Sequence, residues 1–168
     1  MLWFTSDTHF GHANVLHFTD RPFGDIAHMN RALINAINER VAPTDDLYIL
    51  GDFSYQMTAV EAAALRSKIN CRKVHIVPGN HDKDWTHKDV AGTFIVEPPI
   101  VRINIHGQKI VLSHYPLMEW QSMSRGSWHL HGHIHSAGSV YNELNRKQGL
   151  MRYDVGVDAN DLAPVSLD

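Results

Sequence analysis

The run Arg72-Lys73-Val74-His75-Ile76-Val77 is β-branched and apolar at alternate positions, and Pro78-Gly79-Asn80-His81-Asp82 interrupts it. A strand ends here and a loop begins. In an α/β sheet, ligands bind at the carboxyl ends of strands. This strand end offers an amide oxygen, an imidazole and a carboxylate in succession. An ordinary Asn/Asp turn with glycine at positive φ would account for the same residues, so the meaning of the stretch depends on the other strand ends.

Upstream, Leu2-Trp3-Phe4-Thr5-Ser6 reads as a first strand, followed by Asp7-Thr8-His9. Positions i and i+2 of an extended chain face one side, which would aim Asp7 and His9 at one point. From Ile26 to Val41, apolar residues recur every three or four positions and predict an amphipathic helix. Asp46-Leu47-Tyr48-Ile49-Leu50 predicts a second strand ending in Gly51-Asp52. Thr58 and Glu61 form a capping box for a helix from Ala59 to Ile69. The β-α-β-α-β order implies parallel strands with right-handed crossovers, which places Asp52 on a strand between the first and the third.

Downstream, a short helix is predicted over Asp84–Val90. Ile100–Ile105 and Gln108–Leu112 form a hairpin around His106-Gly107, and the second half reads as more antiparallel. The hairpin ends in Ser113-His114-Tyr115-Pro116. A loop with Met118, Trp120 and Met123 leads to a strand over Ser127–Leu130, then to His131-Gly132-His133-Ile134-His135, where His133 and His135 again stand at i, i+2. Met151–Val157 reads as a last strand, with Asp158 and Asp161 as turn formers and a tail over 164–168 that carries no signal.

The chain has 168 residues, enough for a sizeable core in one domain, expected to span 1–168. Its hydrophobic content of 43% with 20% charged residues is ordinary for a soluble protein. No apolar run spans a membrane, no signal peptide fits the start, and the lone Cys71 agrees with a reducing compartment, so a cytoplasmic location is expected. A formal charge of -3 supplies no basic field for nucleic acid. The 13 histidines are the unusual feature, because His129, His131, His133 and His135 alternate along one segment.

The strand ends together carry Asp7, His9, Asp52, Asn80, His114, His133 and His135. Seven N/O donors are too many for one metal ion and suit two, with Asp52 placed to bridge. The set suits Mn, Fe, Co, Ni or Zn better than the all-oxygen shells that Mg and Ca prefer; manganese is the ion expected, with Zn, Fe, Ni or Co as alternatives. Two such ions clamp a phosphoryl group and generate hydroxide at neutral pH.

With these blocks assembled, the chain resembles the calcineurin-like metallophosphoesterase superfamily, whose pattern is D-x-H, G-D, G-N-H-[DE], a later His and G-H-x-H. It is similar in particular to small bacterial and phage phosphoesterases that begin with the run seen here from Ser6 to His12. The resemblance implies two packed mixed β-sheets flanked by helices. It assigns Asp7, His9, Asp52 and His135 to one metal and Asp52, Asn80, His114 and His133 to the other, with His81 outside the metal shell. On that basis His81 is expected to act as general acid or electrostatic stabiliser, oriented by Asp82, while Asn80, and more weakly His12 and Arg21, contact substrate.

Gly51-Asp52 continues as Phe53-Ser54-Tyr55, where the protein Ser/Thr phosphatases of the superfamily have V-D-R-G, and this argues against a phosphoprotein substrate. The expected function is therefore hydrolysis of a small-molecule or nucleotide phosphoester, a diester before a monoester, with Trp120 and its loop neighbours Met118, Met123 and Trp128 as a stacking surface. The alternative is a non-catalytic metal-binding scaffold or protein-interaction module of the same fold, which the intact ligand set and His81 disfavour. A structural zinc site is disfavoured because Cys71 stands alone.

Overall fold

A computed structural model describes residues 1–167; Asp168, at the end of the expected domain, lies outside the described residues. The elements are β1 (Leu2–Thr5), α1 (Val15–Phe18), α2 (Ile26–Arg40), β2 (Asp46–Ile49), α3 (Ala59–Arg66), β3 (Lys73–Ile76), β4 (Ile95–Val96), β5 (Ile100–Ile105), β6 (Gln108–Ser113), β7 (Trp128–His131), α4 (Val140–Lys147), β8 (Arg152–Asp154) and β9 (Val165–Ser166). They build two mixed sheets, ordered β4-β3-β2-β1-β9 and β5-β6-β7-β8, with helices on the flanks. No helix among the described residues is long and apolar enough to cross a membrane.

Strands β1 to β4 are parallel, as the helical crossovers require, and β2 lies between β1 and β3. Alternation along β2 serves two cores. Leu47 and Ile49 join Leu33, Ile37, Val74 and Ile76 beneath α2, while Tyr48 packs with Phe4, Leu112, Leu130 and Val155 between the sheets. In the second sheet only the β5–β6 hairpin is antiparallel. Both β7 and β8 join parallel, because their connections cross over instead of reversing. The turn residues His106 and Gly107 both have positive φ, 51° and 92°, matching the right-handed twist of a hairpin.

Local chemistry corrects three boundaries. α3 starts at its capping box but ends at Arg66, because the amides of Lys68 and Ile69 tighten onto the carbonyls of Leu65 and Arg66 and Ser67 Oγ donates to Ala64 O. The helix expected over Asp84–Val90 is a chain of turns. Asp84 Oδ1 captures the Thr86 amide at 2.9 Å, a local bond that competes with helix, and Trp85 and Val90 anchor the segment in the core. The last predicted strand keeps only its start, since the chain turns at Gly156 into a 3-10 turn over Val157–Ala159.

α4 presents buried Asn142 and Asn145 to the protein while Val140 and Leu144 stand in solvent. Asn142 donates to Asp154 O and accepts from Asp154 N, and Asn145 donates to Arg152 O. Two amide side chains thus take the place of a neighbouring strand along the free edge of β8.

Two of the four alternating histidines are structural. His129 donates from Nδ1 to Val111 O and accepts the Leu117 amide at Nε2, and His131 lies between Gly132 O and the Tyr141 hydroxyl. Both are fully buried, and burial lowers each to about 4, so both are neutral. The unfolded chain binds more protons in this window, so stability is present at neutral pH and is lost as pH falls from about 6.5 towards 4. The loss is on the order of 3 kcal/mol per histidine. Urea unfolding of chelator-treated protein at pH 7, 5.5 and 4.5 should show this loss, with a shallower slope in His129→Gln; equal slopes in the two proteins would rule His129 out as a contributor.

Candidate metal centre

The site is built where strands stop. Beyond β1 and β2 the two chains run side by side, with Asp7 N donating to Gly51 O and His9 N to Asp52 O. Asp7, His9, Asp52, His133 and His135 all have positive φ, between 46° and 73°. Asp and His tolerate this left-handed region better than bulkier residues, at a cost on the order of 1 kcal/mol each. The expectation that Asp7 and His9, and likewise His133 and His135, meet because the chain is extended is therefore corrected. Left-handed loop backbone brings them together, and the fold carries that strain at its site.

Two groups converge. Asp7, His9 and His135 place one ligand atom each within 4.8 Å of one another, and so do Asp52, His114 and His133. Asp52 Oδ2 is 3.5 Å from His9 Nε2 in the first group and 3.6 Å from His114 Nε2 in the second. Asn80 Oδ1 lies 2.9 Å from His114 Nε2, and His133 Nδ1 lies 3.2 Å from the same nitrogen.

The donor chemistry fits cations. Asp7 Oδ1 and His9 Nε2 are buried and have no hydrogen-bond partner among the described residues, an arrangement that costs free energy unless something else satisfies it. Burial, with the neighbouring His135 and Arg21 charges, lowers His9 to about 2, so its lone pair is available. Burial pushes Asp7 up to about 6, the mark of a carboxylate enclosed without enough positive charge. Nδ1 of His114 and His135 is fixed by Leu50 O at 2.8 Å and Asp158 Oδ2 at 2.7 Å, which turns each Nε2 towards the carboxylate of its group, Asp52 and Asp7 respectively.

Asp158 is the functional residue that the sequence reading missed. Its carboxylate takes two hydrogen bonds from Arg21, at 2.7 and 2.9 Å, and one from His135. Although burial opposes its charge, Arg21 and His135 hold it down at about 2. Arg21 spends its remaining donors on Thr8 O, Asp7 O and Met29 Sδ and is almost fully buried. The expectation that Arg21 contacts substrate phosphate is thereby corrected: its guanidinium clamps the first ligand loop to the 3-10 turn. An unexplained arginine near D-x-H was the available signal, because a buried guanidinium demands a carboxylate. Asp158→Asn strands that cation, with an expected loss of about 3–5 kcal/mol and weaker metal binding through His135. Thermal melts with and without metal would show it; an unchanged melting temperature would refute the clamp.

Asp82 is corrected in the same way. Its carboxylate accepts the amides of Asp52, Phe53 and Gly79 at 2.8 to 3.1 Å, which ties the β2 and β3 loops together, and it makes no hydrogen bond to the His81 imidazole. His81 is held by rings instead. Tyr55 lies edge-on at 4.7 Å and His9 at 5.7 Å between centroids, while the His81 amide donates to Asp52 Oδ1. His12 is buried against Tyr55, with Nδ1 3.3 Å from His9 Nδ1. Gly51, Gly79 and Gly132 let these loops close up: a Cβ on Gly79 would meet the Asp52 carboxylate, and one on Gly132 would meet Ser6 Oγ and Asp7 Oδ2.

The loop after Tyr115 does not supply the expected stacking surface. Trp120 is buried, its indole N–H on Ser127 O and its ring 5.2 Å from His129. Trp128 packs against the inter-sheet core and Met123 is half-buried, while Met118 stands in solvent.

The calcineurin-like phosphoesterase superfamily domain is matched over residues 1–156. An uncharacterised protein of Methanocaldococcus jannaschii is 30% identical over 99% of this chain and 87% of its own length. Among solved structures, a protein of unknown function from Aquifex aeolicus superposes with a TM-score of 0.75 at 24% identity, covering 98% of this chain and 94% of that one. The phosphoesterase Yfce of E. coli superposes with a TM-score of 0.53 at 16% identity, covering 99% and 81%. At these identities the two structures speak for the fold.

Proposed function

This chain belongs to the calcineurin-like phosphoesterase superfamily, and we propose that it is a dinuclear metal-dependent phosphoesterase that hydrolyses diesters in preference to monoesters. The observation that carries the reading is the place of Asp52, whose Oδ2 lies between the Nε2 atoms of His9 and His114 and can serve both donor groups. One ion would be held by Asp7, His9, Asp52 and His135 and the other by Asp52, Asn80, His114 and His133. A pair of divalent ions supplies Lewis-acid activation of phosphate and water. Of the transition metals that suit a mixed set of imidazole, carboxylate and amide donors, manganese is the ion we propose, with Zn, Fe, Ni and Co as alternatives.

The chain's own residues do the remainder. Asn80 presents its amide beside His114 and orients a phosphoryl oxygen. His81, adjacent to Asn80 but outside both donor groups, holds a proton near the leaving oxygen. Preference for a diester follows from charge, because a monoester carries close to a second negative charge at neutral pH and Arg21 is tied to Asp158 and cannot answer it. The substrate is a small-molecule or nucleotide phosphoester. The buried free thiol of Cys71 suits a reducing, cytoplasmic setting. A non-catalytic metal-binding scaffold of the same fold would use the same donor atoms, Asp7 Oδ1 and His9 Nε2 among them, and turnover of the esters below separates it from an enzyme.

Elemental analysis of manganese-reconstituted protein should count two ions per chain. Values of kcat/KM for a nitrophenyl diester, its monoester, a cyclic nucleotide and a phosphopeptide should rank a diester first. A faster monoester or phosphopeptide would overturn the diester preference, and chelator-resistant activity would overturn the metal mechanism.

A further inference from the structure

Two exposed aromatic rings stand against the candidate ligands, one at each donor group. Phe18 closes α1, which is anchored by fully buried Val15, and its ring is left 58% exposed. It lies perpendicular to His135 at 5.5 Å and edge-on to His12 at 5.6 Å, against the first donor group. Tyr115 follows β6, is 50% exposed, and lies 4.5 Å from His133 and 5.0 Å from His114, against the second. Each ring has an edge or face on the candidate ligands and the rest in solvent, where a planar group of a molecule bound at the donor groups can reach it.

We infer that Phe18 and Tyr115 are specificity-determining platforms that stack on the two planar groups flanking the phosphate of a short nucleotidyl diester. This rests on the phosphoesterase reading and names its substrate class. Purine and pyrimidine faces stack on aromatic side chains without regard to base identity. A long polynucleotide is not the fit, since the formal charge of -3 supplies no backbone-tracking cations and Arg21 is engaged. A linear dinucleotide places one base on each side of a central phosphate, which matches one ring per donor group.

The probe is a dinucleotide carrying 2-aminopurine at both positions, with the scissile ester oxygen replaced by methylene so that it is not cleaved. Its abasic counterpart is the control. Bound to the manganese-loaded protein, the base-bearing compound should have a Kd roughly hundredfold lower than the abasic one, about tenfold for each stacked base, with quenched 2-aminopurine fluorescence. Phe18→Ala and Tyr115→Ala should each return roughly tenfold of that affinity and part of the quench, while metal content and melting temperature stay unchanged; Tyr115→Phe should keep both. Both substituted rings are at the surface, so misfolding does not cloud the reading. Equal affinity for the two compounds, in protein that hydrolyses methyl nitrophenyl phosphate, would overturn the platforms and leave the phosphoesterase reading intact. Failure to hydrolyse any diester while base-dependent binding persists would overturn the catalytic reading alone.

Discussion

Asp52→Asn is expected to take the metal content from two ions per chain to none and to lower kcat/KM on a diester by at least about 10³-fold, because several kcal/mol of transition-state stabilisation depend on the ions. The geometry separates this effect from unfolding. Asp52 Oδ1 accepts the His81 amide at 2.9 Å, and an asparagine carbonyl can keep that bond. Oδ2, which faces His9 and His114, becomes an NH2 group that points donors at the two nitrogens meant to ligate. Removing a buried negative charge should leave the melting temperature of the metal-free protein equal or higher. Asn80→Ala, which touches only the second group, should keep one ion. Two ions retained in Asp52→Asn would show that the carboxylate is not shared, whatever happens to turnover.

The outline of this site was legible in sequence because its donors are concentrated where apolar runs stop. Asp7, His9, Asp52, Asn80, His114, His133 and His135 all follow strands, and strand order alone put Asp52 between its neighbours. The supporting layer was much less legible. Asp158 sits in a short 3-10 turn among residues that favour turns, and its meaning comes from Arg21, 137 positions earlier. Asp82 adjoins His81 in sequence, yet its carboxylate serves backbone amides from two loops, a role that sequence adjacency does not encode. Trp120 shares a Ser/Gly-containing loop with Met118, Met123 and Trp128, which reads as a stacking surface, whereas an indole that can satisfy its N–H on Ser127 O gains more by burial. α4 was missed outright: its inward face is asparagine, so the periodicity that reveals α2 is inverted.

The second large effect is expected at His81. His81→Ala should retain two ions and lower kcat by roughly 10²–10⁴ on substrates with alkyl leaving groups, the range for loss of a positioned general acid. Its imidazole adjoins Asn80 in sequence yet belongs to neither donor group, and Tyr55 and His9 fix its ring without occupying it with a carboxylate. The loss should shrink for nitrophenyl esters, whose leaving oxygen needs little protonation, so the slope of rate against leaving-group pKa steepens in the variant. Asp82→Asn provides the contrast. Its carboxylate receives the amides of Asp52, Phe53 and Gly79, so the substitution should reduce metal affinity and thermal stability while leaving the leaving-group slope as it is. Tyr55→Ala frees the imidazole edge and should fall between the two, with kcat lowered and metal retained. If His81→Ala slows nitrophenyl and alkyl esters by the same factor, the histidine supports the fold of the loop and the proton comes from elsewhere.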